Sequence, residues 1–201
     1  MRRAPSLLQT DLFAPAPRVL AEDAEGGVTY RPRVVDDATQ RCWFEHLREV
    51  VRWQAQRRPM YDRVVDVPRL TASYWLDDPK LPAALAEAAG VVRDTLGAPF
   101  NAVGLNFYRD GRDSVAPHHD KLHMLVPGQP IAVLSLGATR RMTLRRMERG
   151  ARVDFVDLEP GSLFVMSHAS QFVYEHGIPK TEESVGPRIS CAFRVRPRET
   201  G

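Results

Sequence analysis

Between residues 36 and 51 the apolar positions recur at spacings of three and four. Trp43, Phe44, Leu47, Val50 and Val51 would share one face of a helix capped by Asp36 or Asp37. Pro59, beyond Arg57-Arg58, marks its stop. A second helix is predicted over 82–97, with proline in its first turn, glycine beyond its last, and a buried stripe of Leu85, Ala88, Val92 and Leu96. Between them, residues 64–75 carry a strand pattern, Val64, Val65, Val67 and Leu70, interrupted at Pro68. From Asn101 onward the period changes to short, turn-bounded runs at 102–108, 131–136, 141–147, 153–158, 162–166, 171–174 and 189–195. Glu159-Pro160-Gly161 is a turn by composition. Seven or eight short strands after two helices predict an antiparallel sandwich or jelly roll, mostly β, with flanking helices on one face. Residues 1–35 lack periodicity and read as an arm that wraps the domain and pairs one short strand. Residues 36–100 then form a helical region packed on the core, and 101–201 the β core, within one structural domain.

The length, 201 residues, suits a single domain, and 43% apolar with 26% charged residues is ordinary globular usage. No apolar run approaches the ~18 residues of a membrane span, so no membrane partner is expected. The basic start Met1-Arg2-Arg3 lacks the apolar core of a secretory signal. Cys42 and Cys191 cannot build a disulfide framework or a four-cysteine zinc site. They read as small buried apolar residues in a chain suited to a reducing cytoplasm. A net charge of +3 says little about partners.

The candidate chemistry lies in three segments. In Pro117-His118-His119-Asp120, residues two apart share a face of an extended chain, so His118 and Asp120 could grip one metal. His176 is the candidate third ligand. Two histidines and one carboxylate with open positions suit non-haem Fe(II) oxygenases; a solvated histidine loop is the plainer alternative. In Arg188-Ile189-Ser190-Cys191-Ala192-Phe193-Arg194, the apolar Ile189, Cys191 and Phe193 face one way, and Arg188, Ser190, Ala192 and Arg194 the other. Two arginines on an interior face call for anions, which a dicarboxylate supplies; on an edge strand they would simply meet water. Asn106 and Tyr108 share a face that could complete such a clamp or lie in solvent.

The order Asn-x-Tyr, His-x-Asp, His, Arg-(five residues)-Arg resembles the AlkB family of Fe(II)- and 2-oxoglutarate-dependent dioxygenases. Pro68-Arg69-Leu70-Thr71-Ala72, Asn106-Phe107-Tyr108-Arg109-Asp110-Gly111, Ser135-Leu136-Gly137-Ala138-Thr139-Arg140 and Pro187-Arg188-Ile189-Ser190 carry the resemblance from about Met60 to Pro197. It implies a double-stranded β-helix (jelly-roll) core behind an N-terminal nucleotide-recognition lid. It implies Fe(II) on His118, Asp120 and His176, and 2-oxoglutarate on Arg188 and Arg194 beside Asn106 and Tyr108. Tyr74, with Trp75 as second choice, would stack on the target base. The implied activity is oxidative removal of alkyl groups from bases of DNA or RNA by a monomer, using O2 and releasing formaldehyde, succinate and CO2.

Two departures bear on substrate. Lys121-Leu122-His123 follows Asp120 where many of these demethylases carry acids, and Ser73 replaces the tryptophan before the lid tyrosine. Arg140, Arg141, Arg145, Arg146, Arg149 and Arg152 crowd one hairpin against Glu148 alone, offering Arg140 and Arg145 to phosphates; a merely soluble hairpin is equally consistent. The rival functions are a dioxygenase of the same core acting on a protein or small molecule, and a non-catalytic nucleic-acid-binding module.

Overall fold

The computed structural model describes residues 16–60 and 63–198, with side chains described except at 58–60 and 63–66. In chain order the elements are β1 (Arg18–Ala21), β2 (Val28–Arg31), α1 (Asp37–Val50), β3 (Gln54–Met60), β4 (Arg63–Trp75) and α2 (Ala83–Leu96). They continue with β5 (Ala102–Tyr108), β6 (Val115–His118), β7 (Ile131–Gly137), β8 (Arg140–Arg146), β9 (Val153–Leu158), β10 (Leu163–Met166), β11 (Tyr174–Ile178) and β12 (Arg188–Arg194). Short 3-10 turns occupy Leu122–Met124 and Ala169–Phe172.

Eight strands make one sheet, ordered β1-β2-β10-β7-β12-β5-β4-β3, and four make a second, ordered β6-β11-β8-β9. Strand alternation sorts the side chains into two cores. Ala132, Leu134 and Leu136 of β7, with Ile189, Cys191 and Phe193 of β12, face the helices and meet Trp43, Phe44, Leu47, Leu85 and Val92. Ile131, Val133, Phe164, Met166 and Ala192 point the other way, onto Met142, Leu144, Val156 and Leu158 of the small sheet. The helices therefore form a layer on the back of the large sheet, and the front faces its partner sheet as a jelly roll.

Local chemistry explains the helix ends. The Asp36 carboxylate accepts from the backbone N–H of Ala38 and Thr39 at 2.9 Å each, capping α1. Gly97 closes α2 with φ 64°, a left-handed residue that glycine adopts without strain. Trp43 Nε1 donates to Glu87 Oε2 at 2.8 Å and ties the helices together.

Several expectations are corrected. The first helix ends at Val50 rather than beyond Arg57, because Val51 turns extended (φ −73°, ψ 132°) and residues 54–60 pair with β4 instead. Strand β4 runs through Pro68 without interruption. Pro68 lies opposite an irregularity in the β3 register between Ala55 and Arg57, where the ladder makes no demand on its missing N–H. The strand expected at 171–174 begins instead at Tyr174, after a 3-10 turn. Strand β6 carried no periodic signal, being four residues long with a proline inside. The arm contributes two strands rather than one, and β2 pairs with β10; its residues 1–15 lie outside those described. Cys191 is buried as expected, whereas Cys42 is exposed on the solvent side of α1. No described helix is long and apolar enough to cross a membrane.

Candidate active site

Strands β6 and β11 pair so that His118 stands directly opposite His176. Their close approach depends on Gly177, where a Cβ would lie 2.9 Å from both Pro117 N and Val115 O. The two imidazole centroids are 4.5 Å apart. Two residues beyond His118, Asp120 completes the cluster, and one ligand atom from each of the three lies within 4.8 Å of the others. His118 Nδ1 sits 3.0 Å from Ala116 O, which fixes that ring and leaves Nε2 as its ligand atom.

Burial, reinforced by repulsion from His118, pushes the His176 imidazole down to about 3, so it stays neutral and able to coordinate. Burial raises the Asp120 carboxyl, but Arg194 and the two histidines outweigh it and hold the carboxylate ionised below its usual range. Arg194 clamps Asp120 with two bonds, Nε–Oδ2 at 2.7 Å and Nη2–Oδ1 at 3.0 Å. Gln171 accepts from Asp120 N at 2.9 Å and pins the loop. Neither the 3-10 turn nor this contact across 51 residues had a sequence signal.

Behind the cluster lies a cavity of about 270 Å3, lined by Asn106, Tyr108, His118, His176, Arg188 and Arg194 among others. Arg188 is 1% exposed and the largest fully buried side chain. Its Nη2 donates to Ser135 Oγ at 2.8 Å, while Nε and Nη1 have no partner. Unpaired donors on a buried cation are costly, and here they identify an anion site. Asn106 accepts from Arg69 Nε at 2.7 Å and donates to Ser190 Oγ at 3.4 Å. Arg69 thereby joins this wall, and Ser135 supports Arg188 from behind it; sequence parity placed neither there. A metal among His118, Asp120 and His176, with a dicarboxylate reaching to Arg188, fits the donors present.

The substrate residues fare differently. In the β4–β5 ladder Tyr74 opposes Val103, so it faces the helices and packs against that core, away from the histidines. Trp75 opposes Ala102 on the other face, 37% exposed, with the Arg196 and Arg198 guanidiniums 5.5 and 5.1 Å from its ring. Arg140 is buried and donates to the carbonyls of Asp110, Asp113 and Pro179, which holds it inside the fold. Arg145 pairs with Glu175, Arg141 with Asp157 and Arg146 with Glu148. The exposed arginines of the hairpin are thus largely paired with acids, Arg141 and Arg145 across the ladders, which weighs against the phosphate reading of Arg140 and Arg145.

Two facing antiparallel sheets with a two-histidine, one-carboxylate cluster between them define a jelly-roll oxygenase of the non-haem iron class. Residues 76–194 match the 2OG-Fe(II) oxygenase superfamily. The chain is 30% identical over 211 residues to alpha-ketoglutarate-dependent dioxygenase alkB homolog 3 of Bos taurus, covering 90% of this chain and 74% of that protein. It is 34% identical over 110 residues to DNA oxidative demethylase ALKBH2 of Homo sapiens, covering 51% of this chain and 42% of that one. The structure of OsALKBH1 superposes with a TM-score of 0.59 at 15% identity, covering 84% and 96% of the two chains. The chain belongs to the 2OG-Fe(II) oxygenase superfamily and, within it, to the AlkB family. It is thus a dioxygenase using Fe(II), 2-oxoglutarate and O2.

Proposed function

We propose that this enzyme oxidatively dealkylates N-alkylated bases in nucleic acid. Fe(II), 2-oxoglutarate and O2 supply the oxidising power, with succinate and CO2 as cosubstrate products and formaldehyde leaving from an N-methyl group. His118, Asp120 and His176 hold the metal, His176 neutral and Asp120 ionised. Arg188 meets the far carboxylate of the cosubstrate with its two unpaired donors, and Asn106, Tyr108 and Ser190 wall the same cavity. Arg194 fixes the Asp120 carboxylate in its ligating position through the two-pronged ion pair.

The observation that carries this reading is the orphaned Arg188 behind the three-ligand cluster, since it accounts for a dicarboxylate at that depth. The likeness to a DNA oxidative demethylase supports nucleic acid as the substrate class. The internally neutralised hairpin favours the rival in which a protein or small molecule is hydroxylated. Formaldehyde and succinate release from N-methylated oligonucleotides, with and without Fe(II), tests the two. Stoichiometric release of both products is expected; succinate formed without formaldehyde from any methylated oligonucleotide would leave the rival standing.

A further inference from the structure

The three ligands of the cluster are not equally supported. His118 and His176 stand opposite each other in paired strands, whereas Asp120 lies in the loop beyond the end of β6. Its backbone N donates to Gln171 Oε1 at 2.9 Å. Gln171 is 1% exposed, and its Nε2 faces Met166 Sδ and Ser170 Oγ, both at 3.4 Å. Two serines close the 3-10 turn that carries Gln171: Ser170 N donates to Ser167 Oγ at 2.9 Å, and Ser170 Oγ to Ser167 O at 2.7 Å. Ser167, buried just past β10, is gripped from the turn between β1 and β2. Its Oγ donates to Asp23 Oδ2 at 2.6 Å, across 144 residues, and its N to Gly27 O at 2.8 Å. Glu25 Oε2 accepts from Ala169 N at 2.7 Å. That turn is itself braced. Asp23 Oδ1 accepts from Glu25 N and Gly27 N at 2.8 Å each, and Gly27, at φ 67°, has no room for a Cβ against Ala21 O.

We propose that the acidic turn at 23–27 is a positioning element of the metal centre, with Asp23 acting through Ser167 and Gln171 on Asp120. The inference rests on the assignment of His118, Asp120 and His176 as metal ligands made above. Hydrogen direction is forced along the whole path. An ionised Asp23 can only accept, so it takes the Ser167 hydroxyl proton and leaves an oxygen lone pair for Ser170 N. The Ser170 hydroxyl proton goes to Ser167 O, which leaves Ser170 Oγ to accept from Gln171 Nε2. The Gln171 amide is thereby oriented with its oxygen toward Asp120 N. Arg194 grips the Asp120 carboxylate and this path grips its backbone, so the ligand is held at both ends. Partners behind a metal ligand tune affinity by fixing where the ligand atom stands.

Co(II) titrations of the full chain with 2-oxoglutarate present, read by the visible absorption of the bound ion, test the path. Asp23→Ala is expected to weaken Co(II) binding about tenfold, the low end of what outer partners of metal ligands cost. Glu25→Ala, at an exposed side chain, should act in the same direction by a smaller factor. The penalties of Asp23→Ala and Gln171→Leu should not multiply in the double variant, since both act on one network. Asp36→Ala removes the α1 cap and serves as the control for lost stability alone; it should leave Co(II) affinity unchanged. Three results overturn the positioning role: unchanged affinity in Asp23→Ala (in Glu25→Ala should the former not fold), penalties that multiply, or an equal loss in Asp36→Ala. His118→Ala keeps that failure apart from failure of the ligand assignment. It should abolish the Co(II) spectrum, and a spectrum that survives overturns the ligand set and the path built on it.

Discussion

Replacing Arg188 by methionine separates the stability of the empty fold from the affinity for cosubstrate. The guanidinium is 1% exposed, its Nη2 donates to Ser135 Oγ at 2.8 Å, and its Nε and Nη1 are left without a partner. The Tyr108 ring, 5.3 Å away, adds a cation–π contact. Exchanging such a buried charge for an apolar side chain of similar volume is neutral or stabilising by about 1–4 kcal/mol. With cosubstrate the sign reverses. Two charge-assisted hydrogen bonds at about 1.5–3 kcal/mol each would be lost, which weakens 2-oxoglutarate binding between about 100-fold and 10,000-fold.

Thermal unfolding with Mn(II), with and without 2-oxoglutarate, reads both effects. At 100 times Kd a ligand adds about 2.7 kcal/mol, and for a domain of this size that moves Tm by about 5–11 °C. The wild type should show that rise. Arg188→Met should start at an equal or higher Tm and stay there at the same concentration. A variant that melts well below the wild type without cosubstrate, or one that keeps the full rise, would show that Arg188 is a structural cation and not an anion receptor.

Three further outcomes are expected. Gln171→Leu frees the Asp120 backbone N–H and the loop it pins, so Co(II) or Mn(II) affinity should fall about 10–100-fold; unchanged titration curves would remove Gln171 from the site. Asp113 is buried yet held below the usual carboxylate range, because bonds from the Arg109 side chain and backbone outweigh its desolvation. Its stabilising contribution is present above about pH 4 and lost as the pH falls through the depressed native value; Asp113→Asn should cost about 1–2 kcal/mol at pH 7 and flatten the urea midpoint between pH 3 and 7. Tyr74→Ala should cost about 1–3 kcal/mol of stability and leave oligonucleotide affinity intact, whereas Trp75→Ala should do the reverse; a Tyr74 variant that folds normally but loses affinity would contradict the strand register.

The fold class was legible because most of its strands are half-buried. Residues 189–195 alternate so regularly that their parity alone separates the helix-facing Ile189, Cys191 and Phe193 from the inward Arg188, Ser190 and Arg194, and the structure divides them the same way. The β3–β4 hairpin was not legible. Its pairing depends on a bulge opposite Pro68, a property of two segments together that neither carries alone. Tyr74 shows the limit of motif transfer: being one residue from Trp75 in a strand is enough to put it on the opposite face.

Charge shows why a local window misleads. Six arginines within 13 residues looked like a phosphate-binding run, yet antiparallel pairing sets Asp157 and Glu175 directly against Arg141 and Arg145, and Arg140 turns inward to hold three carbonyls. The cavity beside the metal ligands is instead lined by basic side chains from distant parts of the chain, Arg69 of β4, Lys121 after Asp120 and Arg196 after β12. A potential at an active site is set by what the sheet brings together, so a run of like charges along the sequence is a poor guide to it.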